Sequence, residues 1–149
     1  MSKEMREQID RVKNWKQFLN ENINNTISVK NIGNEYMDEL FDMTDGLFYT
    51  YANPKIGLFN GENLIGGVLL DEDYLPWEYR FDVVIHKKFR GKGYLKLLIN
   101  KLKENFYNDK KANQLSATVV NKKLTKILVN KFGFNKGEFE GDDFVWINK

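Results

Sequence analysis

The chain has 149 residues, a formal net charge of +2, 42% apolar and 30% charged side chains, and no cysteine. That length and balance fit one soluble globular domain with a single core. The missing cysteines exclude disulfides, thiolate metal sites and a cysteine nucleophile, and the small net charge offers no general field for nucleic acid.

The chain opens on a charged stretch, Met1-Ser2-Lys3-Glu4, and no run approaches the ~20 apolar residues of a membrane span. A cytoplasmic location is therefore expected. Met5, Ile9, Val12, Trp15 and Leu19 recur at helical spacing, so an additional N-terminal helix is predicted within 1–24. It reads as a cover for the sheet or as a dimerisation helix. Thr26 to Ile32 alternates as a strand. Asn34 is placed to cap a helix carrying Met37, Leu40 and Phe41 on one face, ended by Asp45-Gly46. Leu47 to Tyr51 is a short aromatic piece stopped by Asn53-Pro54.

Lys55 to Phe59 and Asn63 to Leu70 form a predicted hairpin around Asn60-Gly61, and Gly66-Gly67 marks a bulge or a close approach. Asp71 to Glu78 reads as an acidic loop. A strand follows over Tyr79 to Ile85, then a helix over Leu95 to Tyr107 with Leu95, Leu98, Leu102 and Phe106 as its apolar stripe. Gln114 to Val120 is a strand, Asn121 caps a helix over Lys122 to Lys131, and Asn135 to Lys149 forms a final strand pair. The element order predicts one α/β domain over 1–149, a mixed sheet with helices on both faces.

Between the central strand and the long helix lies Arg90-Gly91-Lys92-Gly93-Tyr94. Two glycines let backbone approach a phosphate oxygen without a Cβ in the way. The helix start adds unpaired N–H groups and a partial positive charge. The pattern is neither the Gly-x-Gly-x-x-Gly of a dinucleotide fold nor a Walker loop, and on its own it also describes an ordinary βα turn.

Val83 to Leu98 resembles the acetyl-CoA signature of the GNAT superfamily of N-acetyltransferases. Arg90, Gly91 and Gly93 match it, and Leu95 stands where the family has Gly or Ala. Asn121, the following helix and Phe132-Gly133-Phe134 resemble the family's later asparagine-helix-Gly-Phe segment. The resemblance implies a GNAT-like fold, a mostly antiparallel sheet of about six to seven strands. It also implies acetyl-CoA as cosubstrate, with no metal. By the same resemblance Val83, Val84 and Ile85 would pair with the pantetheine arm, and the Ile85 N–H would polarise the thioester carbonyl. Arg90, Gly91, Lys92, Gly93, Tyr94 and Leu95 would hold the pyrophosphate, and Asn121 would either contact the arm or only cap its helix.

Amine acetylation needs a neutral amine. A lysine-like amine, with a reference pKa near 10.4, is neutral in roughly one molecule in a thousand at pH 7. Candidate bases on or beside the central strand are Asp82, Glu78 and His86. The proton donor to the leaving thiolate is a Tyr in many family members, four residues before the Gly-Phe glycine; here that position is Val129. Tyr94 and Tyr79 are substitutes by residue type. Phe48, Tyr49 and Tyr51, with Glu140 and Asp142 in an acidic turn, suit a cationic acceptor, a small-molecule or peptide amine. Two alternatives stay open: a CoA-binding or protein-binding module without acetylation, and a relative that modifies nucleic acid through the lysines near Lys87 to Lys103. A homodimer is also left open.

Overall fold

The computed structural model describes residues 26–44, 52–75 and 77–149, with backbone alone for 72–74. The expected N-terminal helix and Phe48, Tyr49 and Tyr51 lie outside the described residues. Seven strands form one sheet: β1 (Ile27–Asn31), β2 (Asn53–Asn60), β3 (Asn63–Leu75), β4 (Glu78–Ile85), β5 (Gln114–Val119), β6 (Asn135–Phe139) and β7 (Asp142–Asn148). Their order is β1-β2-β3-β4-β5-β7-β6. Every neighbouring pair is antiparallel except β4 and β5. Those two are joined by a helix, the crossover that a parallel pair requires.

Three α-helices are described: α1 (Met37–Asp42), α2 (Tyr94–Asn108) and α3 (Lys122–Phe132). Leu98, Leu102 and Phe106 of the expected α2 stripe are buried, joined by Ile99, while Leu95 at the first turn is half-buried. They meet Phe81, Leu115, Ala117, Val119 and Val145 on one face of the sheet, together with Leu128 and Phe132 of α3. Full burial of one such side chain contributes about 1.5–3 kcal/mol. Lys103 Nζ donates to the Phe132 carbonyl at the C-terminus of α3, tying α2 to α3 (2.9 Å). The opposite face carries α1, whose Leu40 joins Phe59, Leu64, Leu69 and Val84 in a second cluster. The core is thus split by the sheet, and strand alternation assigns each β4 residue to one side.

Gly66 and Gly67 combine both features expected of them. Leu58 pairs with Gly66 and Phe59 with Leu64, so Ile65 is the extra residue of a bulge. A Cβ on Gly67 would stand 2.6 Å from the Ile56 carbonyl oxygen and 2.9 Å from Leu40 Cδ2; one on Gly66 would stand 2.7 Å from the Val84 oxygen. The missing side chains let neighbouring strands and α1 close on this backbone.

Several boundaries differ from expectation. Asn34 does not cap a helix; Gly33 precedes a 3-10 turn, Asn34–Tyr36, and α1 follows it. The expected aromatic piece, Leu47 to Tyr51, lies outside the described residues; Asn53 and Pro54, expected to precede the strand, are the first residues of β2, with Pro54 buried opposite Leu69 beside a register shift that absorbs its missing donor. The acidic stretch after Leu70 is not a loop: β3 runs on to Leu75. Asp71 is buried directly opposite Arg80, an oppositely charged cross-strand partner that makes the strand tenable. The first hairpin loop is Gly61-Glu62, with Asn60 as the last strand residue.

Candidate active site

Parallel pairing between β4 and β5 covers three positions, Glu78 with Gln114, Tyr79 with Leu115 and Arg80 with Ser116. Beyond Arg80 the two strands have no paired register and a cleft opens between them. Its volume is about 1270 Å³, and Phe81 to Ile85 form one wall and Ala117 to Val120 the other. Gly91, Gly93, Tyr94 and Leu95 line one part of the cleft, and Leu124, Ile127 and Leu128 of α3 another. A mostly apolar cleft flanked by two helix N-termini suits a long, partly apolar ligand with an anionic group.

The backbone at the cleft follows from strand geometry. The His86 N–H donates to the Ile65 carbonyl, 2.7 Å away. Antiparallel pairing therefore turns the polar backbone groups of His86 and Val84 toward β3. Those of Val83 and Ile85 face the other way, where β5 has already left the ladder. Arg90 Nε donates to the Ile85 carbonyl at 2.7 Å, so this arginine braces the end of β4.

The turn below is built for close approach. Gly91 and Gly93 have φ of +75° and +82°, in the left-handed region, and a Cβ on either would meet nothing within 4 Å. Gly93 opens α2 without a side-chain cap, and no acidic residue stands in the first turn. Lys96 is there instead, which the helix dipole disfavours unless an anion lies in front. The open space, exposed amides and local cations fit a pyrophosphate, and the apolar gap fits a pantetheine arm. Lys92 lies over the Phe89 ring (5.7 Å). At the second helix, the Asn121 side-chain oxygen accepts from the Lys123 and Leu124 amides (2.9 and 3.4 Å) while the residue also lines the cleft. Asp143, buried on β7, anchors the same helix turn: Lys122 Nζ and Thr125 Oγ1 donate to it at 2.9 and 2.8 Å. The bond from Lys122 holds its carboxyl below the usual range, with Thr125 adding to the effect.

The three base candidates separate in space. Asp82 lines the cleft, and burial pushes its pKa up to about 6, against the opposing pull of Arg80. Glu78 sits at the closed end of the strand pair, buried, accepting from Ser116 Oγ (2.5 Å) and Gln114 Nε2 (3.1 Å). It joins β4 to β5 and does not line the cleft. His86 Nδ1 accepts from the Lys88 amide (3.1 Å) and caps the 3-10 turn Lys87–Phe89. Tyr79 donates its hydroxyl to Asp109 and lines a different, smaller cavity. Tyr94 lines the cleft, whereas Val129 packs against the main core. Glu140 and Asp142 flank Gly141 at the β6–β7 hairpin. The residue reading missed Thr118, Lys123 and Lys131, all in the cleft lining. For Thr118 the signal was present, since Ser116 and Thr118 alternate with apolar Leu115, Ala117 and Val119.

The model of the Acetyltransferase (GNAT) family matches residues 15–134. The chain belongs to this GNAT family. Its members use acetyl-CoA as cosubstrate, and the chain is an acetyl-CoA-dependent N-acetyltransferase by that membership. Solved GNAT structures share the fold. A variant of the spermidine N-acetyltransferase SpeG of Vibrio cholerae is similar at 13% identity, covering 83% of this chain and 94% of that one, with a TM-score of 0.65. The same enzyme in complex with manganese ions matches at 14% identity, 85% and 94% coverage, and TM-score 0.65. The N-acetyltransferase PseH of Campylobacter jejuni matches at 17% identity, 83% and 99% coverage, and TM-score 0.57. No curated protein sequence matches the chain. Among the described residues of this GNAT protein no group of three or more His, Asp or Glu side chains could hold a metal ion, and no helix is long and apolar enough to cross a membrane.

Proposed function

We propose that this GNAT protein moves the acetyl group of acetyl-CoA to a primary, cationic amine by direct attack within a ternary complex. The observation that carries the proposal is the β4–β5 divergence, with left-handed glycines at one part of the cleft and Asp82 at another. Acetyl-CoA supplies the activated thioester carbonyl. The amides of Gly91 to Leu95 hold its pyrophosphate, and the inward-facing groups of Val83 and Ile85 hold the pantetheine arm. Val84 contributes packing from the other side of the strand. The Ile85 N–H is the donor toward the thioester oxygen, and Arg90 keeps that peptide in place through the Ile85 carbonyl.

Asp82 takes a proton from the acceptor ammonium. Neutralising an amine of pKa near 10.4 at pH 7 costs about 4.6 kcal/mol. A carboxylate raised to about 6 is a stronger base than an ordinary one yet is still mostly ionised at pH 7. Val129 cannot donate a proton. A thiol with a reference pKa near 8.5 leaves with modest help, and Tyr94 is the tyrosine among the cleft-lining residues. The spermidine N-acetyltransferases among the similar structures support a small cationic acceptor.

Thiol release from acetyl-CoA in a panel of amines tests this reading. Turnover with cationic primary amines, together with a rise in melting temperature on adding acetyl-CoA, is the expected result. A thermal shift without turnover would instead indicate a CoA-binding module.

A further inference from the structure

Resting on the acetyltransferase reading, we propose that Phe144 and Trp146 form a subsite for a second positive charge on the acceptor, so that the substrate is a diamine or polyamine. Strand alternation places this wall. Val145 packs into the main core on the α3 side, so Phe144 and Trp146 project from the other face. Phe144 pairs with Thr118, which lines the cleft, and Trp146 pairs with Ser116. Asp82 is two residues beyond Arg80, and Arg80 pairs with Ser116, so Asp82 belongs to this same face. Asp82 and Phe144 lie two strands apart, at least on the order of 10 Å, and the opening between β4 and β5 widens that gap.

The wall is an ordered one. The Phe144 and Trp146 rings stack at 5.7 Å and 23°, and Phe139 extends the row at 6.4 Å from Phe144. Gly137 leaves room for the indole: a Cβ there would come within 3.1 Å of it. This surface already holds one cation, since the Arg80 guanidinium carbon lies 5.7 Å from the Phe139 ring centre. Lys122 and Lys136 are drawn to Asp143 on the opposite face. The aromatic face therefore joins ring π-density to the carboxylate of Asp82, a complement to positive charge.

A reacting amine must be neutral to attack, so it gains nothing from a cation–π wall in its reactive form. A charge elsewhere on the same molecule does gain. The wall thus selects acceptors with an ammonium group several methylenes from the acetylated nitrogen.

The test compares kcat/KM for α,ω-diamines of increasing length with amino alcohols of equal length. The wild-type chain should prefer the diamine by about tenfold at the matching length. Trp146→Leu and Phe144→Leu should bring the diamine kcat/KM down to that of the amino alcohol while the KM for acetyl-CoA stays unchanged, and Phe144→Tyr should keep the preference. Equal rates for diamine and amino alcohol in the wild type, or a preference that survives Trp146→Leu, would overturn the proposal. If the leucine variants fail to fold, the wild-type series decides alone. Failure to acetylate any amine would instead strike the transferase reading itself.

Discussion

Asp82 sits where ionisation is expensive, and that expense suits it to the role of base proposed for it. Burial raises its pKa to about 6 in the folded chain, so the folded state binds its proton more tightly than the unfolded one. Its stabilising contribution is present at acid pH, below the unfolded carboxyl value, and is lost as pH rises through about 6. Asp82→Asn should therefore gain roughly 1–3 kcal/mol of stability at pH 7 while losing about 10²-fold or more in kcat/KM. Thermal melts and initial rates from pH 5 to 8 would show both, and the acid limb near pH 6 should vanish in the variant. Glu140 is a second residue under constraint. It holds φ 53° ahead of Gly141 at φ 88°, a two-residue hairpin loop in which both central residues are left-handed. Glu140→Asn should raise stability by about 0.5–1 kcal/mol, or about 1–4 °C in Tm, read by thermal melting. Asp82 was legible as a charge inside an apolar strand. Glu78 and His86 were equally visible by type, but their hydrogen-bond partners, Ser116 and the Lys88 amide, are known only once the chain is folded.

At the scale of elements, the cleft exists because β4 and β5 pair for three residues and then part. Glu78 closes the joined end with bonds from Ser116 and Gln114. Removing that carboxylate leaves a fully buried hydroxyl without its acceptor, at a cost of about 1–3 kcal/mol. Glu78→Ala should lower the urea midpoint accordingly and leave the pH dependence of kcat intact, because the proposed base is Asp82. Helices α2 and α3 and most strands were readable from period and punctuation, the two helices falling within a residue or so of their predicted ends. What was misread has a tertiary cause. The run after Leu70 looks like a loop until Arg80 lies opposite Asp71, and Pro54 looks like punctuation ahead of a strand at Lys55 until a register shift admits it to β2. The divergence of β4 from β5 has no local signature at all, since it is a failure of two distant segments to continue pairing.

Across the whole molecule, the sheet divides two kinds of chemistry. One side carries α2 and α3, which bring Lys96, Lys123 and Lys131 to the cleft lining. The other carries Asp82, Thr118 and the aromatic row of β6 and β7. A net charge of +2 conceals this segregation, because composition averages over both faces. The Arg90 to Leu95 turn was recognisable from its residues, whereas the full aromatic row was not: Phe144 and Trp146 share a face of β7 by alternation, but Phe139 joins them only through the β6–β7 register. We propose that the space in front of Gly93 receives the diphosphate of acetyl-CoA. Calorimetric titration of acetyl-CoA into the wild-type chain and into Gly93→Glu decides whether it does. A Cβ at Gly93 meets no protein atom within 4 Å, so the variant bears backbone strain of about 1–2 kcal/mol and remains folded. The wild type should bind saturably and a folded Gly93→Glu at least a hundredfold more weakly; equal affinities would place the diphosphate elsewhere.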